Sequence, residues 1–197
     1  MTEEETRRKQ RARFERLAQV VVDPLHRYLR RRTSADRVED ILSETMLVLW
    51  RRIDNVPGLG TGSMPDPDPE PDPEPGDVLP WCYGVARGCL ANARRADGRR
   101  LRLVERLVRT QQQLPAGPAD HSDLHAALDA LGALDREVVQ LWAWEGLAPR
   151  QIAEATGLTS NAVSVRLHRA KKKLAAQLGR KNAELPGHKR DEGRSGQ

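Results

Sequence analysis

Residues 149–174 read PRQIAEATGLTSNAVSVRLHRAKKKL, and the rest of the chain is organised around this stretch. The spacing predicts a short helix over residues 151–155, with Ile152 and Ala153 facing inward. Gly157 falls where a tight turn needs a residue that tolerates positive φ. Thr159 or Ser160 can cap a second helix, since each carries a side-chain oxygen for free backbone N–H groups. In that helix Val163, Leu167, Ala170 and Leu174 recur at three and four residues and form one apolar stripe. Ser160, Asn161, Ser164, Arg166, Arg169, Lys172 and Lys173 lie off it. A small Ala153, a turning Gly157 and a core-closing Val163 make the pattern of a helix-turn-helix. Such a unit places the start of its second helix in the DNA major groove. The plainer alternative is a helical hairpin with a solvated basic face.

Upstream, Leu124, Leu128, Leu131, Leu134, Val138, Val139, Leu141 and Trp142 predict two helices broken near Gly132, with Asp135 capping the second. Together with 149–174 they form a small domain over 124–178. Gly179 is expected to end the last helix and open a disordered basic tail, 179–197. Before the domain, residues 110–123 contain QQQLPAGPADHSD and read as a flexible linker.

A second helical domain is expected over 11–109, after a disordered start at 1–10. Phe14, Leu17, Val20, Val21, Leu25, Tyr28 and Leu29 give a helical pattern with a kink or break at Pro24. The Arg30, Arg31, Arg32 cluster then reads as a solvated terminus. Ser34 or Asp36 can cap the next helix, whose apolar face is Val38, Ile41, Leu42, Thr45, Met46 and Leu49. Trp50 beside Asp40 and Glu44 either forms part of a partner surface or completes the core. Further on, Trp81, Val85, Cys89 and Ala93 line one face of a helix that turns Arg-rich toward residue 109. Gly84 and Gly88 in it weaken the helix or admit a close neighbour. The fold class is therefore all-α, with two small helical domains.

Residues 55–80 break the first domain. MPDPDPEPDPEPGD has proline at every second position over much of its length, which forbids helix and strand pairing. Pro65 to Pro75 would span about 30 Å at about 3.1 Å per residue. Six acids sit in or beside it (Asp66, Asp68, Glu70, Asp72, Glu74, Asp77), whereas the whole 197-residue chain carries +5. The remainder is thus strongly basic and suited to a polyanionic partner. The tract reads as an inserted loop.

Cys82 and Cys89, seven apart on a helix, stand about two turns from each other, too far for a disulfide. They read as buried thiols of a reducing compartment. His121 and His125 are too few ligands for a metal site. The charged start MTEEETRRKQR is no signal peptide, and no apolar run nears the ~20 residues that span a bilayer. A cytoplasmic protein is expected, with no cofactor, no membrane insertion and no enzymatic site: there is no phosphate-binding Gly loop and no nucleophile–base pair.

Three blocks carry a family resemblance. VEDILSETMLVLWRR (38–52) and LPWCYGVARGCLANARR (79–95) resemble the region 2 helices of bacterial RNA polymerase sigma factors. Residues 127–174 resemble region 4. With these two regions and a short linker, the chain resembles an extracytoplasmic-function (ECF, group 4) sigma factor of the sigma-70 family. LuxR-type DNA-binding regulators share the region 4 motif but not the other two blocks. The resemblance implies that Asp40, Glu44, Thr45, Met46 and Trp50 dock on the polymerase β′ clamp helices. It implies that Trp81, Tyr83, Arg87, Asn92, Arg94 and Arg95 open and read the −10 promoter element. It assigns the −35 element to Ser160, Asn161, Ser164, Arg166, Arg169 and Lys172. It further implies core RNA polymerase, including its β flap, promoter DNA and an anti-sigma factor as partners. Ser43, Met46 and Gly88 stand where the family usually has Gln, Phe and Asn, and the Pro/acid tract falls in the loop that in this family captures a flipped −10 base.

Overall fold

The computed structural model describes residues 2–59, 73–107 and 122–184, with side chains over 2–59, 73–99, 124 and 126–179. All regular elements among them are helical: α1 (Glu3–Arg30), α2 (Ala35–Arg51), a single 3-10 turn (Ile53–Asn55), α3 (Pro75–Leu107), α4 (Ser122–Asp129), α5 (Ala133–Ala143), α6 (Pro149–Thr156) and α7 (Ser160–Glu184). Helices α1, α2 and α3 pack on one another as a first lobe, and α4 to α7 form a second.

The start of the chain corrects the expectation of a disordered 1–10. Thr2 caps α1, its Oγ1 accepting from the Glu5 N–H at 3.3 Å, and Glu3, Glu4 and Glu5 occupy the first turn, where carboxylates suit the helix dipole. Pro24 does not break the helix, which runs unbroken from Glu3 to Arg30. A proline there removes one N–H bond, and burial of Val21, Leu25, Tyr28 and Leu29 around it holds the helix together. Ser34 is the N-cap residue of α2. Its hydroxyl bonds Asp36 and holds that carboxyl below its usual range.

Buried Arg13 ties α1 to the chain after α2. Its guanidinium pairs with Asp54 at 2.7 Å and donates to the Leu59 carbonyl at 2.9 Å. Val56 and Leu59 are buried too, so the chain stays packed four residues past the 3-10 turn. At the far end α3 begins at Pro75, not after Pro80: proline needs no N–H partner in a first turn, and Pro80 lies one turn further in. The expected loop 55–80 therefore shrinks from both sides, and its acidic centre, 60–72, lies outside the described residues, as does the linker from 108 to 121. At the C-terminal end α7 continues through Gly179 to Glu184, beyond the stop expected at Gly179.

In the second lobe, the helix-turn-helix forms as the spacing predicts. Ile152, Ala155, Val163, Leu167 and Ala170 are buried between α5, α6 and α7. Gly157 takes φ 74°, ending α6 in the left-handed region. Thr159 Oγ1 accepts from the Ala162 N–H at 3.2 Å and so caps α7. Asp135 does not cap α5. Gly132 holds that position, and Asp135 in the first turn instead pairs with Arg166 of α7 at 2.7 Å.

The lobes are not held apart: α6 packs on α3. Gly84 is why they can approach, since a Cβ there would stand 3.2 Å from the Ala155 carbonyl oxygen.

Candidate nucleic-acid interface

Helix α7 presents two faces. The stripe Val163, Leu167, Ala170 is turned into the lobe, leaving Ser160, Asn161, Ser164, Arg169 and Lys172 exposed on the outside, with His168 and Lys173 beside them. The outer face of the first two turns thus carries short polar side chains that can reach base edges, and the following turns carry cations spaced for backbone phosphates. Ser164 donates to the Ser160 carbonyl at 3.0 Å, so its hydroxyl lies close to the helix. Arg166 differs from its neighbours. It is half-buried and engaged with Asp135, which makes it a brace between α7 and α5. Trp142 is 42% exposed and carries the Lys171 ammonium 3.3 Å from its ring centroid.

On α3, Trp81 and Arg87 are half-buried and Asn92 is exposed. All three line a crevice of about 460 Å³ whose opposite wall is Glu154–Gly157 of the second lobe. Arg95 donates to Asn92 Oδ1 at 2.5 Å, pre-positioning that amide. Arg94 donates to the Arg32 carbonyl at 2.7 Å. Tyr83 is a correction: it is 4% exposed, packed on the Tyr28 ring at 5.2 Å, and has no face for a base in this arrangement. Burial pushes its phenol up to about 12, with the nearby Glu145 carboxylate adding to the shift, and burial raises Tyr28 as well.

These are the chain's only two tyrosines, which makes the arrangement easy to read. An absorbance titration at 295 nm is expected to show no tyrosinate step near the ordinary pKa of about 10. Because both folded-state values are raised, their stabilisation is complete below the unfolded value and is lost as pH climbs from about 10 upward. Alkaline unfolding and tyrosine ionisation should therefore coincide. A half-amplitude step near pH 10 in the folded protein would contradict the burial.

On α2, Asp40 and Glu44 are exposed one turn apart. Thr45 is a second correction. It is fully buried, and its hydroxyl donates to the Ile41 carbonyl at 2.7 Å, so it belongs to the core that its place in the apolar stripe indicated. Met46 is half-buried. Trp50 lies edge-to-face on Phe14 with centroids 5.2 Å apart, at the rim of the core. Leu47 was missed by sequence reasoning: it is 47% exposed, three residues after Glu44 and seven after Asp40 on the same face. An apolar residue off the stripe was the available signal.

Cys82 and Cys89 are free and buried, and burial pushes the Cys82 thiol up to about 12. Among the described residues no group of His, Cys, Asp and Glu could hold a metal ion, and no helix is long and apolar enough to cross a membrane.

Comparison with known proteins agrees with this geometry. Residues 121–174 match the family described as sigma-70, region 4. RNA polymerase sigma factor SigV of Bacillus subtilis (strain 168) is 40% identical over 72 residues, 35% of this chain and 43% of its own length, so the match spans less than half of that relative. The sigma factor RpoE of Bartonella quintana, solved with the anti-sigma factor NepR, shares the fold at a TM-score of 0.59 and 22% identity, over 84% of this chain and 96% of that one. A match to sigma-70 region 4 thus falls on the helix-turn-helix of the second lobe, and the all-helical fold of most of the chain is similar to that of RpoE.

Proposed function

We propose that the chain is a promoter-specificity subunit: it binds core RNA polymerase and directs transcription initiation, without chemistry of its own. The observation that carries this reading is the outer face of α7, where Ser160, Asn161, Ser164, Arg169 and Lys172 are exposed on a helix whose other side is locked into the lobe. That face suits insertion into the major groove at the −35 element, with phosphate contacts setting the register. The Trp81, Arg87, Asn92 wall of α3, with Arg94 and Arg95 beside it, suits unstacked bases of the −10 element, where an aromatic surface and guanidinium groups offset the loss of pairing. Each face alone binds weakly, and mounting both on one polymerase joins them into a bivalent reader.

The α2 face of Asp40, Glu44 and Leu47 would meet the β′ clamp helices, and the second lobe the β flap. An anti-sigma factor is a further partner of this reading, as for the RpoE relative in its complex with NepR. The test is a transcription assay with core polymerase free of other sigma factors: the chain is expected to start transcripts at discrete sites, whereas an independent DNA-binding regulator would not.

The docking surface has its own test. Asp40→Ala combined with Glu44→Ala removes two exposed carboxylates and leaves the Phe14–Trp50 contact intact. Competition with the unaltered chain for core polymerase should weaken by about tenfold, a cost of ~1.4 kcal/mol, with the melting temperature unchanged. A variant that competes equally well would remove this surface from the reading.

A further inference from the structure

The Arg30, Arg31, Arg32 cluster reads in the sequence as a solvated helix end. In the fold it is the point where the lobes are joined. Arg32 directly follows the α1 C-cap, and its side chain is 3% exposed. Its Nη1 meets Glu145 Oε1 at 3.1 Å and its Nε meets Glu137 Oε2 at 3.4 Å. Arg31 Nη2 meets the other Glu145 oxygen at 2.6 Å, and the Tyr28 hydroxyl donates to Glu137 at 2.9 Å. The Arg32 guanidinium also lies 3.7 Å from the Tyr28 ring centroid and 5.9 Å from that of Trp144. Every one of the partners Glu137, Trp144 and Glu145 belongs to the second lobe, and all lie more than 100 residues along the chain from Arg32.

This cluster sits beside the α3–α6 contact. There Gly84 faces the Ala155 backbone, and the Gln151 side chain, which accepts from the Ala148 N–H at 3.0 Å, donates its amide to the Gly76 carbonyl at 3.0 Å. Glu154 lies across the crevice from Arg52 and Arg87, a carboxylate on the wall opposite two cations.

We infer that the free chain holds itself closed: Arg32, gripped by Glu137 and Glu145, seats α6 on α3, so that the Trp81–Arg87–Asn92 wall meets nucleic acid only after the lobes separate. The inference rests on the promoter reading of that wall. The contact is built to part. It depends on charges that water or a charged partner can satisfy, and Arg32 Nη2 is buried with no hydrogen-bond partner among the described residues. The α3–α6 contact brings the two helix backbones close at Gly84. Closure also places the carboxylate of Glu154 where a phosphate would otherwise approach Arg87. The closed population then lowers apparent affinity by the fraction of molecules that are open.

Two variants of the full chain test this. Glu137→Gln with Glu145→Gln removes the charges that hold Arg32. Gly84→Leu wedges α3 from α6 with no change of charge. Each is measured by small-angle scattering and by fluorescence anisotropy with a forked DNA duplex carrying a single-stranded end, at one salt concentration. Glu3→Gln with Glu4→Gln, exposed in the first turn of α1, controls for the lost negative charge. Both test variants are expected to have a larger radius of gyration at unchanged helical content, and to bind the forked probe about tenfold more tightly, as for a parent that is about nine-tenths closed. The control should match the parent. An unchanged radius in both variants overturns the latch, and a larger radius without tighter binding overturns its inhibitory role. Neither readout uses polymerase, so a chain that opens as expected yet fails to program core enzyme would overturn the promoter reading alone.

Discussion

Val163→Asp is expected to unfold the second lobe. Val163 is fully buried where α7 crosses α6, among Ile152, Ala155 and Leu167. A carboxylate there has no cation within the apolar stripe and no route to water while the helices stay packed. Burying it unpaired costs about 4 kcal/mol or more, a large part of the 5–15 kcal/mol that a small domain has in total. The volume-reducing Val163→Ala should cost about 2 kcal/mol, from lost transfer energy and an incompletely filled space. Urea unfolding followed by circular dichroism separates the two: a displaced midpoint for alanine, and lost helical signal before any urea for aspartate. DNA binding by α7 should vanish with Val163→Asp and survive in Val163→Ala. A Val163→Asp protein that melts like its parent would show that the α6–α7 crossing is not the core of this lobe.

Arg169→Ala with Lys172→Ala is the second large effect, and it acts on binding rather than folding. Both residues are exposed on the outer face of α7, with their stems off the apolar stripe, so the melting temperature should not move. If each neutralises one phosphate, the slope of log K against log salt falls by about 2, since each released counterion contributes ~0.9. Affinity for promoter duplex should drop roughly 10- to 100-fold at low salt, uniformly across sequences. Asn161→Ala should behave oppositely, keeping the salt slope and relaxing base preference at one position. Anisotropy titrations over a salt series decide between these outcomes. An unchanged slope in the double variant would show that these cations do not touch the backbone.

The residues behind these two predictions were legible in the chain because their signals are local. Val163, Leu167 and Ala170 follow helical spacing, Gly157 marks the turn, and Thr159 offers the capping oxygen. All five behave as those rules require. Thr45 is instructive because two kinds of reasoning disagreed over it. Helical periodicity placed it in the apolar stripe, family resemblance placed it on a partner surface, and its buried hydroxyl sides with periodicity. The helical start at Thr2 was also written locally, in a cap followed by three glutamates, and was overlooked because the segment has no apolar stripe of its own.

The sequence by itself determined that this protein is helical, that its second lobe ends in a helix-turn-helix, and that one face of α7 is polar and basic, since each follows from interactions within a few residues. Only the tertiary structure decided that Arg32 is buried rather than solvated, that Tyr83 is covered, and that Gly84 seats one lobe on the other. The carboxylates that hold Arg32 and the backbone that meets Gly84 lie tens of residues or more away along the chain. No periodicity or capping rule reports a partner that distance in sequence conceals and folding brings to within 3.5 Å.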